Sequence, residues 1–411
     1  MGDIDGWANI HHDILQEISK HFYSYDDFIQ LRLVCKQWSL KLPEISSKIL
    51  WLLVPESFSD YFSEEEEAGY HSRQPIADEV PLDIQSLDED KIHHLKLPEM
   101  QTKLIRGSFG GWLIVLDIYQ GSMYMLDAFT KVRLDLPPIS TFPDIIDYNP
   151  NNRGFEYTIR DFGDVHMDDY GPQESSGFVN CSHVWKVIIN SCPSNDNEDF
   201  MAVAIYGPRL TLAFYKPNDK RWLDLSTRKP LFHDVIFFGE KIYAVEERGQ
   251  LYEFDTNTKS GPVGGIHEAK PPYDDAARGP LQLKYLVGCA NGSLLMLVRH
   301  STFHRGVPRI YKFDIYELKK NAKEWCRLDS LKNCVVIIGL NSSVQMLPAS
   351  IQTKGNQIYF TDENLLDWKT WNCAEHQNIG IFDLDDGSCQ RLLSDVKFMC
   401  SPVWCYSSSL L

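Results

Sequence analysis

At 411 residues, with 43% hydrophobic and 24% charged, the chain has the composition of an ordinary globular protein, enough for one large domain and a small one. Its 57 acidic against 40 basic residues give a formal net charge of -17. That field repels phosphate backbones and anionic lipid, which argues against nucleic acid and membrane as partners and favours a basic protein segment.

The opening Met1-Gly2-Asp3-Ile4-Asp5 is acidic and has no apolar h-region, so it does not read as a signal peptide. Gly6 stands where an N-myristoylation pattern needs Ser or Thr. No stretch reaches the roughly 18 apolar residues of a membrane span. An intracellular protein, nuclear or cytoplasmic, is expected, with its 10 cysteines reduced. No C-x-x-C pair and no H-E-x-x-H occurs, so neither a metal nor a cofactor is expected.

From the start to about Ser47 the apolar residues follow helical spacing. Ile10, Ile14, Leu15, Ile18 and Phe22 form one stripe. Tyr25-Asp26-Asp27 supplies a break with a carboxylate N-cap. A second stripe follows in Phe28, Leu31, Val34, Cys35 and Trp38, and Pro43 ends the next short segment. A helical pair this small cannot bury both of its faces, so it leans on the following domain, on a partner, or on both.

From Ile49 the pattern changes to short β runs bounded by turn residues: Ile49–Val54, Trp112–Leu116, Met123–Leu126, Val184–Ile189, Met201–Ile205, Leu210–Tyr215, Asp234–Phe238, Lys241–Val245 and Leu251–Phe254. Tyr285–Val287, Leu294–Val298, Ile310–Phe313, Val335–Ile338, Gln357–Phe360 and Ile379–Phe382 continue it, without convincing helices between. Trp112-Leu113-Ile114-Val115 with Met123-Tyr124-Met125-Leu126-Asp127 echoes Lys241-Ile242-Tyr243-Ala244-Val245 with Leu251-Tyr252-Glu253-Phe254-Asp255. The outer runs Arg221–Leu225 and Glu324–Leu328 echo each other too. A four-strand unit recurring at about 40–50 residues predicts a β-propeller of about six blades, with a large β-sandwich as the competing architecture. The strand at Trp51–Val54 and the tail Val403-Trp404 are expected to share one blade. Pro55–Gln74, Asp161–Ser176, Ser191–Asp199 and Gly261–Gly279 read as polar loops, the first holding Glu64-Glu65-Glu66-Glu67.

Catalytic signatures do not assemble. Asp161-Phe162-Gly163 lacks the other kinase motifs, and Gly107–Gly111 lacks the helix and Lys-Ser/Thr of a phosphate loop. Asp168-Asp169 and Asp385-Asp386 fall in turn sequences, where Asp serves the backbone. No catalysis by this chain is expected.

Trp7-Ala8-Asn9-Ile10-His11-His12-Asp13-Ile14-Leu15, followed by Leu31-Arg32-Leu33-Val34-Cys35-Lys36-Gln37-Trp38, resembles an F-box. The remainder resembles the KIB-type propeller of a large family of plant F-box proteins. Carrying stretches include Gly107-Ser108-Phe109-Gly110-Gly111-Trp112-Leu113, Leu134-Asp135-Leu136-Pro137-Pro138, His233-Asp234-Val235-Ile236-Phe237-Phe238 and Asn356-Gln357-Ile358-Tyr359-Phe360-Thr361-Asp362. The resemblance implies an F-box helical domain over 1–47 and a β-propeller over 48–411. It implies a non-catalytic receptor of a ubiquitin ligase: the F-box docks a Skp-type adaptor, and through it a cullin, while the propeller captures a protein for ubiquitination and proteasomal degradation. Matching positions place adaptor binding on Ile10, Ile14, Leu15, Ile18, Leu31, Val34, Cys35 and Trp38. Some of these, Cys35 and Trp38 above all, could instead be internal core. The family's Leu-Pro at the first helix is here Ile10-His11, which removes a helix-starting ring worth about 0.5–1 kcal/mol. Two alternatives stay open: a propeller enzyme or small-molecule binder with a structural helical cap, and an F-box scaffold unconnected with degradation.

Overall fold

A computed structural model describes residues 10–19, 31, 34–42, 51–54, 82–86, 91–95, 103–128, 131–160, 172–193, 200–217, 219–225, 230–257, 261–267, 269, 271–272, 282–304, 307–319, 324–346, 353–361, 379–392 and 403–405. The runs Pro55–Gln74 and Asp168-Asp169 and the break at Tyr25–Asp27 lie outside them.

The β-rich part is a propeller of six blades among the described residues. Blade 1 takes its inner strand from the chain's end: β28 (Val403–Cys405) pairs with β1 (Trp51–Val54), followed by β2 (Leu82–Ser86) and β3 (Lys91–Leu95). Blade 2 holds β4 (Lys103–Phe109), β5 (Trp112–Asp117), β6 (Met123–Asp127) and β7 (Arg133–Leu136). A three-stranded sheet, β8 (Ile145–Tyr148), β9 (Tyr157–Ile159) and β10 (Gln173–Glu174), is inserted before blade 3. Blade 3 is β11 (Val184–Ile189), β12 (Ala202–Tyr206), β13 (Thr211–Tyr215) and β14 (Leu223–Asp224). Blade 4 is β15 (Phe232–Phe238), β16 (Lys241–Glu246), β17 (Leu251–Asp255) and β18 (Val263–Ile266). Blade 5 is β19 (Gln282–Gly288), β20 (Leu294–His304), β21 (Val307–Lys319) and β22 (Glu324–Leu328). Blade 6 is β23 (Val335–Ile338), β25 (Gln357–Phe360), β26 (Gly380–Asp383) and β27 (Cys389–Arg391), joined to blade 5 through β24 (Val344–Met346).

Burial explains why these sequences make blades. Middle strands such as β5, β12 and β13 are buried along their whole length, because neighbouring blades cover both faces. Outer strands lose that cover: β18 and β27 are exposed throughout and read as polar or glycine-rich. Successive inner strands touch around the ring, β28 on β4, β4 on β11, β11 on β15 and β15 on β19. Gly107 marks how closely: a Cβ there would stand 2.0 Å from the Val187 carbonyl oxygen of the next blade. The ring closes where Leu52 and Trp404 of blade 1 share a cluster with Val335, Ile337 and Tyr359 of blade 6.

The expected pairing of the chain ends is present, with Leu52 opposite Trp404 and Leu53 opposite Val403. Ser108 Oγ of blade 2 donates a buried 2.6 Å hydrogen bond to the Trp404 carbonyl. Ser108→Ala strands that carbonyl, and urea unfolding is expected to show a loss of about 1–2 kcal/mol. A loss under about 0.3 kcal/mol would remove this bond from the closure.

Along the axis a buried ion pair spans four blades. Lys186 Nζ of β11 lies 2.7 Å from Asp234 Oδ1 of β15 and donates to the Gly339 carbonyl after β23 at 2.8 Å. Asp234 Oδ2 accepts from the Leu286 amide of β19 at 2.8 Å, and Oδ1 from Val235 at 2.9 Å.

Several expectations need correction. A helix, Ser176–Ser182, does occur between strands, with Ser175 Oγ accepting from the Phe178 amide as its N-cap. The run read as a loop from Gly261 contains β18, because edge strands need no apolar alternation. Blade 6 departs from the repeat: β23 runs parallel to β25, and the return strand β24 lies between it and β19.

Candidate functional site: an exposed helical face and one end of the propeller

Two helices are described near the N-terminus: α1 (His12–Ser19) and α2 (Lys36–Lys41). The His11 carbonyl accepts from the amides of Ile14 and Leu15, both at 3.1 Å, so the first turn closes without a proline. Lys41 Nζ donates to the Ile10 carbonyl at 3.0 Å, tying the second helix back to the first.

The eight positions from the sequence divide by burial. Leu15 is fully buried, and Leu31 and Trp38 are buried with it in a cluster continuous with the first blades. Ile10, Ile18 and Cys35 are half-buried against that cluster. Ile14 and Val34 face outward, 57% and 59% exposed. One side of the stripe holds the helices to their own fold; the other leaves a branched aliphatic from each segment in water.

The antiparallel topology sorts the loops into two ends. Hairpins joining second to third strands, and connections to the next blade, leave at one end. Because β1 takes the second position in blade 1, the chain before Trp51 arrives at the opposite end. Of the ten exposed large apolar residues among those described, six belong to the first end: Tyr119, Ile146, Tyr148, Phe155, Leu231 and Tyr311.

A braced platform carries several of them. The inserted sheet and its helix are pinned by Tyr157, whose hydroxyl donates to Asn180 Oδ1 at 3.0 Å, while Asn180 Nδ2 donates to the Ile118 carbonyl of blade 2 at 2.9 Å. Phe142 stacks on Trp222 of blade 3 at 4.9 Å, and the indole donates to the Pro137 carbonyl at 3.0 Å. His183 Nε2 lies 3.2 Å from Asp144 Oδ1 in the same buried seam. Beside the platform a cavity of about 630 Å³ opens between blades 3 and 4, lined by Arg209, Leu231, Glu247, Arg248 and Tyr252 among others. A rigid end with exposed aromatics and a mixed-charge cleft suits protein recognition.

Sequence reading singled out none of these propeller positions, because the signal is spatial: single exposed aromatics in unrelated loops become a surface only once the ring closes. Among the described residues no helix is long and apolar enough to cross a membrane, and no three His, Cys, Asp or Glu side chains gather to hold a metal ion.

The model of the KIB1-4 beta-propeller family matches residues 84–383. The F-box protein SKIP23 of Arabidopsis thaliana is 20% identical over 403 residues, covering 93% of this chain and 90% of its own. F-box protein At2g17036 of the same plant is 21% identical over 400 residues, covering 93% and 89%. A third relative named as an F-box protein, At5g55150, is 20% identical over 236 residues, which span 56% of this chain and 63% of that one.

Proposed function

The chain belongs to the KIB1-4 beta-propeller family, and from that premise we propose that it is the substrate-recognition subunit of a Skp-adaptor/cullin/F-box ubiquitin ligase. The observation that carries this reading is the divided helical face. Leu15, Leu31 and Trp38 anchor the helices, and Ile14 and Val34 stand exposed with no role in that packing. Relatives named as F-box proteins align over nearly the whole chain, which supports the same assignment. Ile14 and Val34 are then the adaptor anchors, with Ile10, Ile18 and Cys35 at their rim. The helical domain is residues 1–47 and the target-binding domain 48–411. The chain contributes recognition and no chemistry, and works in the cytoplasm or nucleus. A purely structural cap would bury its apolar stripe, so the exposed pair weighs against the enzyme-with-cap alternative.

The test is capture of the purified chain by a Skp-type adaptor, comparing wild type with Ile14→Asp/Val34→Asp. Leu15 is unsuited to this substitution, since a carboxylate there would enter the core. Each anchor is worth about 2 kcal/mol, so the double variant is expected to bind at least about 30-fold more weakly while keeping its circular dichroism spectrum. Wild-type protein that fails to bind the adaptor would overturn the reading.

A further inference from the structure

We propose that the ribbon made by β20 and β21, together with the groove at its root, grips an extended acidic segment of the target protein. This rests on the receptor reading and adds the place on the propeller and the chemistry of what is held.

The ribbon outgrows its blade. Pairing of β20 with β19 stops at His300, and pairing of β21 with β22 begins at Ile315. Beyond those points Ser301–His304 and Val307–Asp314 pair only with β20 or β21, so the hairpin projects roughly 15 Å past its neighbours at 3.3 Å per residue. It leaves from the same end as the exposed aromatics. The register slips between His300 and Ser301, making Tyr311 the extra residue of a bulge, 54% exposed. No strand flanks Val307–Asp314 on the outer side among the described residues, which leaves a backbone edge able to pair with an extended peptide.

Its charge opposes that of the whole molecule. Residues 301–314, the projecting part, contain Arg305, Arg309 and Lys312, with His304, against one acidic residue, Asp314. The negative charge lies elsewhere: residues 55–81 hold eight acidic and one basic residue, and 137–183 hold eight and two. At physiological salt the screening length is about 8 Å, shorter than the projection, so the ribbon presents its own field. Asp314 at the ribbon's root is shared among His300 at 2.8 Å and two cations, Lys312 at 2.9 Å and Arg327 at 3.0 Å. One carboxylate facing two fixed cations leaves the root basic. The overall charge argues for a basic partner, whereas this projecting element, with its open edge and local positive charge, argues for an acidic one.

The groove supplies the specificity. A cavity of about 400 Å³ between the ribbon and blade 6 is lined by Arg309, Ile310, Phe360, Cys389 and Arg391. Arg309 and Arg391 are exposed, whereas Phe360 is buried. Guanidinium groups match carboxylates in forked geometry, and the adjoining Ile310 and Phe360 accept an apolar side chain. A strand alternates its side chains, so the fitting segment alternates acidic with apolar residues.

The experiment measures fluorescence anisotropy of the full chain with a fluorescein-labelled Glu-Val repeat of about eight residues, the length of the open edge. A Lys-Val repeat of equal length is the control. The acidic peptide is expected to bind at least about tenfold more tightly than the control, and Arg309→Ala/Arg391→Ala to weaken it at least about tenfold. A photo-crosslinking phenylalanine at Tyr311 is expected to capture it. Equal affinity for both peptides, binding unchanged in the double variant, or no binding of the Glu-Val repeat up to about 1 mM would each overturn the proposal. Adaptor capture is measured on the same proteins and is expected to be unaffected by the arginine changes. Failure of the wild type there sinks the receptor reading without touching the peptide result.

Discussion

Asp234→Ala is expected to lower the unfolding free energy by about 3–5 kcal/mol, one of the two largest effects anticipated for a single side chain here. The substitution removes the counterion of Lys186 and the acceptor of the Leu286 and Val235 amides, all in the buried centre of the ring. Lys186 then keeps only the Gly339 carbonyl, and its charge has no route to solvent. A charge buried without its partner costs far more than the pair contributes when intact. The companion variant Lys186→Met/Asp234→Leu removes both charges and fills the space with apolar atoms. It is expected to recover at least half of the loss, its residual cost being the two amides and one carbonyl left without partners. Urea unfolding of wild type, single and double variants makes the comparison. A single-variant loss below about 1 kcal/mol would show that water reaches the pair and that the blades are held by packing alone.

How much of this was legible in the sequence follows from what each segment buries. Val184–Ile189, Val335–Ile338 and Gln357–Phe360 were bounded to the residue, because strands covered on both faces are predominantly apolar, Lys186 and Gln357 being the polar exceptions. Closure through Trp404 was legible for a related reason: an apolar tail strand needs a partner, and the first strand lacks one. The outer strands β7, β18 and β27 were not, since one face is solvent and Gly264-Gly265 looks like a turn. The insertion before blade 3 hid in a polar stretch; its order comes from side-chain bonds such as Tyr157 to Asn180, which periodicity does not register. On the helices, spacing placed Ile14 and Leu15 on one stripe, but adjacent positions stand about 100° apart around the axis. That angle separates a core residue from an exposed one.

The two ends of the propeller have separate tasks under the proposed function. The chain reaches blade 1 at the end away from the ribbon, platform and cleft. Adaptor and target can then occupy opposite ends without competing, and changes at Ile14 or Val34 should leave peptide affinity untouched. The axial pair ties blades 3 to 6 of the ring together, since moving any one of them breaks a buried bond.

Acidification should weaken the fold through His233. The side chain is buried in the bulge of β15 next to Asp234, and burial first, then Lys284 and Arg299, push its pKa down to about 3. An unfolded histidine titrates near 6.5. The folded state therefore stays neutral while the unfolded state takes up a proton. Stability from this group is full above about pH 6.5 and is lost as pH falls toward 3, with a slope near 1.4 kcal/mol per unit. Between pH 6.5 and 4.5 the loss is about 2–3 kcal/mol. Glu246, across the strand pair from Phe232, is raised by burial and acts with the opposite sign. It is common to wild type and variant, so His233→Gln isolates the histidine. Unfolding free energies measured by urea at half-unit intervals should show the variant curve flatter by about 1.4 kcal/mol per pH unit across that window. Parallel curves would mean that the imidazole is protonated in the folded protein, and that a carboxylate other than Asp234 has turned toward it.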